Sequence, residues 1–436
     1  VKVILQPSPL RGAIRVPASK SVMQRACAAA LIRQGCTRLV NPGQAADDHA
    51  ALSVIQALGA TVQQQGNEVM ICSNGLHAVG PVKVDCGESG LSIRMFTPLV
   101  ACLSHPVTLT GSGSLVNRPM HFFEEVLPSL GVAVCTTDGK LPIGIQGPLR
   151  PTTIRVDGRL SSQFLTGLLF AYAAADARYV TIYVEGLVSK PYIDLTLSVL
   201  RSFGCPCPEN RDYRAFYFTS TPAPLPIDRS SSASTPFTYT IESDWSSASF
   251  LLVAGALAGS LQLQGLDLQS VQSDRAILQA LDAAGVQYAI DAKGISVHRS
   301  EIKPFAFDAT DCPDLFPPLV ALAAFAEGDS VLKGAHRLAH KESDRATTLQ
   351  QEFAKMSVPI QIENDALIVK GRGLVQGASV SSCNDHRIAM ALGVAALRAS
   401  GPTVITGAAA VKKSYPTFFT DLSMLGASVS LPDFNE

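Results

Sequence analysis

The sequence has no apolar run long enough to cross a membrane. Its most apolar stretches, such as LFAYAAA and LLVAGALAG, fall short of the roughly 18 residues that a spanning helix needs. The first residues, VKVILQPSPLRG, lack a basic segment followed by an apolar one, so neither a leader nor a transit peptide is expected. Charge is scarce: only 16% of the 436 residues are charged, the net charge is −1 and the pI is near 6.8. Without a broad basic excess, a general nucleic-acid or membrane-surface binder is disfavoured. There are ten cysteines but no Cys-x-x-Cys pair, and the closest two, Cys205 and Cys207, flank a proline. Several lie in apolar runs, as buried thiols do. The expectation is a reducing cytosol, with no disulfide framework and no zinc site.

What is plentiful is apolar surface. At 47% hydrophobic residues the chain can build a large core. Its length suits about three domains, or two large ones. A phrase also recurs: a helical pattern, a small residue, then alternating β-formers. It appears as ALGATV at Gly59, SLGVAV at Gly131, SFGCPC at Gly204, AAGVQY at Gly285, KMSVPI at Ser357 and MLGASV at Gly426. The copies are spaced by roughly 70–80 residues, too long for a solenoid repeat. Glycine just past a helix is a C-cap signal, and the alternation after it reads as a strand. The pattern predicts six copies of one α/β unit, three in each of two domains. The Pro- and Ser-rich stretch 220–237 reads as a long loop between them.

Short polar clusters precede most of the apolar helix patterns. Lys20, Ser21 and Arg25 follow Ser19, a plausible N-cap. Lysine is unfavourable at the positive end of a helix dipole unless an anion sits there too. Ser161, Ser162 and Gln163 open an apolar helix, where hydroxyls and free N–H groups suit a phosphate. Ser189 and Lys190 stand before a proline and another helix. CGESGLSIRMF turns at Gly90 into a helix bearing Arg94, and Arg118 directly precedes Pro119, a residue favoured in a first helical turn. Asn384, Asp385, His386 and Arg387 open a further helix, and Lys412 and Lys413 precede the last one. The densest cluster is HKESDR, 340–345. Read as helix, it puts Lys341 and Arg345 on one face with Glu342 beside them. Upstream, Asp311 and Asp314 precede another apolar helix. Cations with carboxylates at their side suit a site that binds an anion and moves protons.

ASKSVMQR, VDGRLSSQFLTGLL, LVSKPYIDLTL, HKESDR, NDHRIAMAL and KKSYPTFF together resemble the 5-enolpyruvylshikimate-3-phosphate (EPSP) synthase family, in the family's order and from about residue 4 to about 425. The resemblance implies an α/β fold of two lobes, an inside-out α/β barrel with three βαβαββ repeats per lobe. Residues 1–18 with 239–436 would form one lobe and 19–238 the other, closing over substrate in the cleft between them. The implied reaction moves the enolpyruvyl group of phosphoenolpyruvate to the 5-hydroxyl of shikimate 3-phosphate, with release of phosphate through a tetrahedral intermediate. No metal or organic cofactor is implied, and the family expectation is a cytoplasmic monomer.

By motif position the resemblance implies that Lys20, Ser21, Arg25, Ser161, Ser162, Gln163, Ser189, Asp314, Arg337 and Lys341 hold shikimate 3-phosphate. Lys20, Gly90, Arg118, Gln163, Arg345, Arg387 and Lys413 would hold phosphoenolpyruvate. Asp314 would be the base on the 5-hydroxyl, with Glu342 and Lys20 sharing the other proton transfers. Two departures stand out. Glu88 and Leu91 replace the family's Asn and Thr in the loop around Gly90, where the inhibitor glyphosate also binds, and no proline follows Arg94. Arg337 stands where the family often has Asn. The sister family acting on UDP-N-acetylglucosamine has Lys-Asn at Lys20-Ser21 and usually a reactive cysteine in the loop that is SLVNRPM here. A non-catalytic phosphate- or RNA-end-binding protein on a related fold is the alternative from another class.

Overall fold

The structure, a computed structural model, describes residues 1–78, 80–219, 235–339 and 341–430. The loop expected at 220–237 therefore lies outside the described residues as far as 234, and so does His340. The chain forms two compact units: residues 1–17 with 243–436, and residues 18–242. The border falls after Glu242 rather than near 238, because the strand Phe237–Thr240 pairs in parallel with Gly35–Val40 and so belongs to the second unit.

Twelve α-helices are described. The unit of residues 18–242 holds α1 (Lys20–Arg33), α2 (Ala46–Ala57), α3 (Gly90–Val100), α4 (His121–Val126), α5 (Ser162–Ala174) and α6 (Lys190–Ser202). The other unit holds α7 (Trp245–Ala258), α8 (Ile277–Ala283), α9 (Phe316–Ala323), α10 (Arg345–Lys355), α11 (His386–Ala396) and α12 (Phe418–Met424). The strands form six four-stranded sheets, three per unit. Each sheet repeats one pattern, a parallel pair continued by two antiparallel neighbours. Ile154–Asp157, for example, runs parallel to Val180–Glu185, which pairs antiparallel with Ala215–Phe218 and through it with Glu209–Arg211. The first sheet of one unit takes Leu10–Arg15 from the chain start, beside Gly259–Gln264. Its last sheet takes Lys2–Gln6, between Thr403–Thr406 and Ser428–Ser430.

The recurring phrase marks the same joint six times. Gly59, Gly131, Gly204, Gly285, Ser357 and Gly426 all have φ between 64° and 107°. In each case the next residue donates its backbone N–H to the carbonyl five positions back: Ala60 to Ile55, Val132 to Leu127, Cys205 to Leu200, Val286 to Leu281, Val358 to Phe353 and Ala427 to Leu422. This Schellman closure satisfies orphan carbonyls and turns the chain from helix into strand. The helices lie inside. All eleven residues of α3 and all eleven of α11 are buried, as is nearly all of α7, and apolar helices without a polar face belong in a core. Strands alternate instead, as in Lys140–Gln146, with one face on the core.

The reading of the cysteines is corrected at one pair. Cys36 and Cys72 stand directly opposite each other on the antiparallel strands Gly35–Val40 and Glu68–Ser73, and they form a disulfide. Their separation of 36 residues gave no sign of this, because strand register alone makes them neighbours. The other eight cysteines are free thiols. No helix among the described residues is long and apolar enough to cross a membrane.

Ser357 is the one non-glycine at these six joints, exposed, with φ of 64°. An L-residue there carries about 1–2 kcal/mol of strain, partly offset by the greater unfolded-state entropy of glycine. Ser357→Gly should therefore stabilise its unit by about 0.5–1 kcal/mol, read as a melting temperature raised by a few degrees.

Candidate active site

In the unit of residues 18–242, four helices are tied together close to their N-termini. Gln24 of α1 accepts hydrogen bonds from the hydroxyls of Ser89 and Ser92 at the start of α3, both at 2.9 Å. Arg94 of α3 donates to Oε1 of Gln163 in α5 at 2.8 Å, and its guanidinium lies over the Phe164 ring. Thr166 of α5 and Thr196 of α6 share a hydrogen bond at 3.0 Å. Arg25 of α1 closes the set by donating from Nε to Thr196 Oγ1 at 2.9 Å and from its two terminal nitrogens to the carbonyls of Ser21 and Tyr192. Helix N-termini gathered this way present unsatisfied N–H groups and partial positive charge.

The expected residues of this unit sit on that scaffold. Lys20 is the first residue of α1 and pairs with Asp47 at 2.8 Å. Arg25 is 1% exposed, and among the described residues no carboxylate pairs with it. Burial draws it down to about 10, so it remains a cation at neutral pH. Ser161 is the N-cap of α5 and accepts from the Gln163 N–H, with Ser162 buried next to it. Because Arg94 holds the Gln163 carbonyl oxygen, the amide NH₂ of Gln163 remains as a donor. Ser189 takes the N-cap position of α6 with φ of 54°. Gly90 opens α3, and a Cβ there would lie 2.4 Å from Arg118 Nη1, so only glycine lets the guanidinium come this close. Arg118 was expected at the mouth of a helix, but it follows the 3₁₀ turn Gly113–Asn117 and precedes α4 by two residues.

In the other unit, Arg345 is the hub. Its guanidinium is 1% exposed and reaches three carboxylates: Asp385 at 2.7 Å from Nε, Asp314 at 2.8 Å from Nη1 and Glu342 at 2.6 Å from Nη2. Asp314 also meets Lys341 at 3.3 Å and Arg387 at 3.2 Å. Asp385 is fully buried, caps α11 through the Arg387 N–H and accepts from the Ser343 hydroxyl. Lys413 donates to the Asn384 carbonyl at 2.7 Å, in a backbone turned by the left-handed residues Cys383 and Asn384. Arg337 lies in the turn Ala335–Leu338, near enough that its charge helps depress Lys341.

The helical reading of HKESDR is corrected. α10 begins only at Arg345, with Asp344 as its N-cap, and Lys341 and Glu342 lie in the loop before it. They meet Arg345 because the loop folds back, not because they share a helical face. Asp344 accepts from Thr347 and so stops the helix from extending earlier. Sequence reasoning missed Asp47 altogether. It quoted Asp385 without seeing that it is the buried partner of Arg345, and it left Arg94 without a role. Only the place of Asp385 at the opening of a helix was visible in NDHR.

The electrostatics follow from burial and crowding. Burial alone would push the Asp314 carboxyl up, but Arg387, Lys341 and Arg345 outweigh it and hold the group well below the usual range. Burial works against the Arg345 cation, yet Asp385, Glu342 and Asp314 raise it above its ordinary value. Lys341 is drawn down, first by burial and then by Arg345, against the pull of Asp314. Glu342, Asp385 and His386 offer ligand atoms within 4.8 Å of one another. Arg345 already donates to both of those carboxylates, so a guanidinium occupies the place where a divalent cation would need them.

With this geometry in view, the comparisons are specific. The EPSP synthase (3-phosphoshikimate 1-carboxyvinyltransferase) family matches residues 4–422. The chain is 35% identical to the 3-phosphoshikimate 1-carboxyvinyltransferase of Clostridium kluyveri, over 98% of both chains. It is also 35% identical to that of Aeropyrum pernix, over 98% of this chain and 96% of the relative. Among solved structures, an EPSP synthase from Acinetobacter baumannii matches with a TM-score of 0.78 and 25% identity, over 99% of this chain and 100% of the other. Six four-stranded sheets around buried helices are thus the inside-out α/β arrangement of the enolpyruvyl transferases. The chain belongs to the EPSP synthase family.

Two outcomes test the network. Asp385→Ala strands part of the buried Arg345 charge and should lower stability by roughly 3–5 kcal/mol, measured by denaturant unfolding. Asp314 is depressed, so the stability it contributes is fully present above its unfolded value of about 3.8 and is lost as pH falls below it. The stability gap between wild type and Asp314→Asn should therefore be level from pH 7 to about 5 and shrink below about 4.

Proposed function

We infer that this family member transfers the enolpyruvyl group of phosphoenolpyruvate to the 5-hydroxyl of shikimate 3-phosphate and releases phosphate. The observation that carries the reading is the Arg345 centre, where Asp314, Glu342 and Asp385 stand among Arg345, Arg387 and Lys341. Two anionic substrates call for cations, and proton transfer at neutral pH calls for carboxylates held in place among them.

The residue roles are part of the proposal. Lys20, Ser21, Arg25, Ser161, Ser162, Gln163 and Ser189 hold shikimate 3-phosphate from the helix N-termini of one unit. Asp314, Arg337 and Lys341 hold it from the other. Lys20, Gly90, Arg118 and Gln163, with Arg345, Arg387 and Lys413, hold phosphoenolpyruvate. The two clusters serve the same pair of substrates. Asp314, kept ionised by its neighbours, receives the proton of the 5-hydroxyl as that oxygen attacks carbon 2 of the enol. Glu342, 2.6 Å from Arg345 Nη2, and Lys20 exchange the proton that carbon 3 gains and later loses as phosphate departs. Arg94 acts through Gln163 by fixing which end of its amide faces a ligand. We place the protein in the cytoplasm as a monomer; a reducing compartment would hold Cys36 and Cys72 as thiols.

The test is phosphate release from phosphoenolpyruvate, with shikimate 3-phosphate and UDP-N-acetylglucosamine offered separately and the products weighed by mass spectrometry. Enolpyruvyl product with shikimate 3-phosphate alone is expected, and product with the nucleotide sugar would overturn the assignment. Glu342→Gln should lower kcat by about 10²-fold or more with little change in KM, as loss of a general acid–base group does.

A further inference from the structure

The proton transfers just described make no use of the buried carboxyl of Asp274. Asp274 stands in the single turn Ser273–Ala276 that leads into α8 and is 1% exposed. Ser246, in the first turn of α7, donates its hydroxyl to Oδ2, and the Ser273 hydroxyl lies 3.2 Å from Oδ1. Asp314, Glu342 and Asp385 each have a guanidinium or ammonium group against them. Asp274 has only hydroxyls, with no cation of the described residues within 4.0 Å. Its charged neighbours come from three other elements: Asp314 in the turn before α9, Arg387 in α11 and Asp244 at the N-cap of α7, with the buried Cys312 thiol also near. A charge on Asp274 is thus desolvated and faces Asp314, with the Arg387 charge and the Ser246 hydroxyl in its favour.

We propose, resting on the enolpyruvyl-transfer reading, that Asp274 is a positioning residue that stores a proton behind Asp314 and Arg387, and that binding of phosphoenolpyruvate keeps it protonated. When an anion takes up the charge of Arg387, the charge attraction that favours the ionised form is weakened, and the Ser246 hydroxyl alone does not hold it. The carboxylate then takes a proton from solvent, forming its O–H bond as the donor acid in the buffer becomes its conjugate base. Burial first, and then Asp314, push the empty site's Asp274 up to about 7, while Arg387 and the Ser246 hydroxyl pull the other way. Above that pH the free protein has an ionised Asp274 that opposes anion binding at Arg387. Binding there draws in a proton, so affinity falls as pH rises, by up to about tenfold per unit for one coupled proton. The substrate phosphates titrate near pH 6 and do so identically whatever stands at 274.

The experiment measures KM for phosphoenolpyruvate from about pH 6 to about pH 9 in wild type and Asp274→Asn. Asparagine keeps the shape, accepts from one hydroxyl through its carbonyl oxygen and donates to the other through its NH₂, but cannot titrate. Wild-type KM is expected to rise at least several-fold more than the variant's between about pH 7 and 9, and parallel curves overturn the proposal. Infrared spectra of the unliganded proteins decide the protonation without turnover. A carboxylic-acid carbonyl band should bleach through about pH 7 in wild type and be missing from Asp274→Asn. Its absence from wild type near pH 6 overturns the proposal. That reading stands apart from the assay, so failure of the transfer activity and failure of the proton store are distinguishable. If Asp274→Asn does not fold, Ser246→Ala removes a donor that favours the ionised form and should move the band's midpoint upward. An unmoved midpoint counts against the proposal.

Discussion

The guanidinium of Arg345 is the point on which the rest of its unit depends. Taking a cation almost wholly out of water is costly, and the cost is offset only if its donors are matched. Here they meet three carboxylates, each delivered by a different piece of chain: Glu342 by the loop before α10, Asp314 by the turn before α9 and Asp385 by the N-cap of α11. The arrangement holds these segments in register and at the same time keeps Asp314 ionised, its lone pairs shared with Lys341 and Arg387. Structural and chemical demands thus fall on the same atoms.

The unit of residues 18–242 reaches a similar end at its helix N-termini with little ionic pairing. Its helix N-termini are joined by neutral or singly charged hydrogen bonds through Gln24, Gln163, Thr166 and Thr196, and Arg25 keeps its charge with no carboxylate of the described residues against it. That leaves positive potential for a ligand rather than spending it internally. Asp274 marks the contrast in the first unit. It is a carboxyl held by hydroxyls where Asp314, Glu342 and Asp385 have cations, so its charge is governed by burial and by whatever occupies Arg387.

Much of this was legible from residues. The small residue after each helix announced six joints, and all six close with the same bond, Ser357 included. Ser19 before an apolar run announced an N-cap, and it stands at that position before α1. HKESDR announced the chemistry but not the conformation. Composition shows charges crowding together but cannot tell a helical face from a loop that folds back. Arg94 and Asp47 stayed silent because each has meaning only through a partner far away in sequence, Gln163 and Lys20.

The sequence by itself determined the local geometry: where helices start and stop, which are apolar all round and therefore buried, how many repeats there are, and which family they belong to. These follow from propensities and patterns within a few turns of chain. Tertiary structure alone decided the partnerships. Strand register set Cys36 opposite Cys72, across 36 residues, and strand pairing moved the unit border to Glu242. Helix packing brought Asp385 to Arg345 from 40 residues away and left Asp274 bonded to hydroxyls, with no counter-ion among the described residues. Charge pairing and burial act through space, and their energies depend on neighbours that no local stretch of sequence specifies.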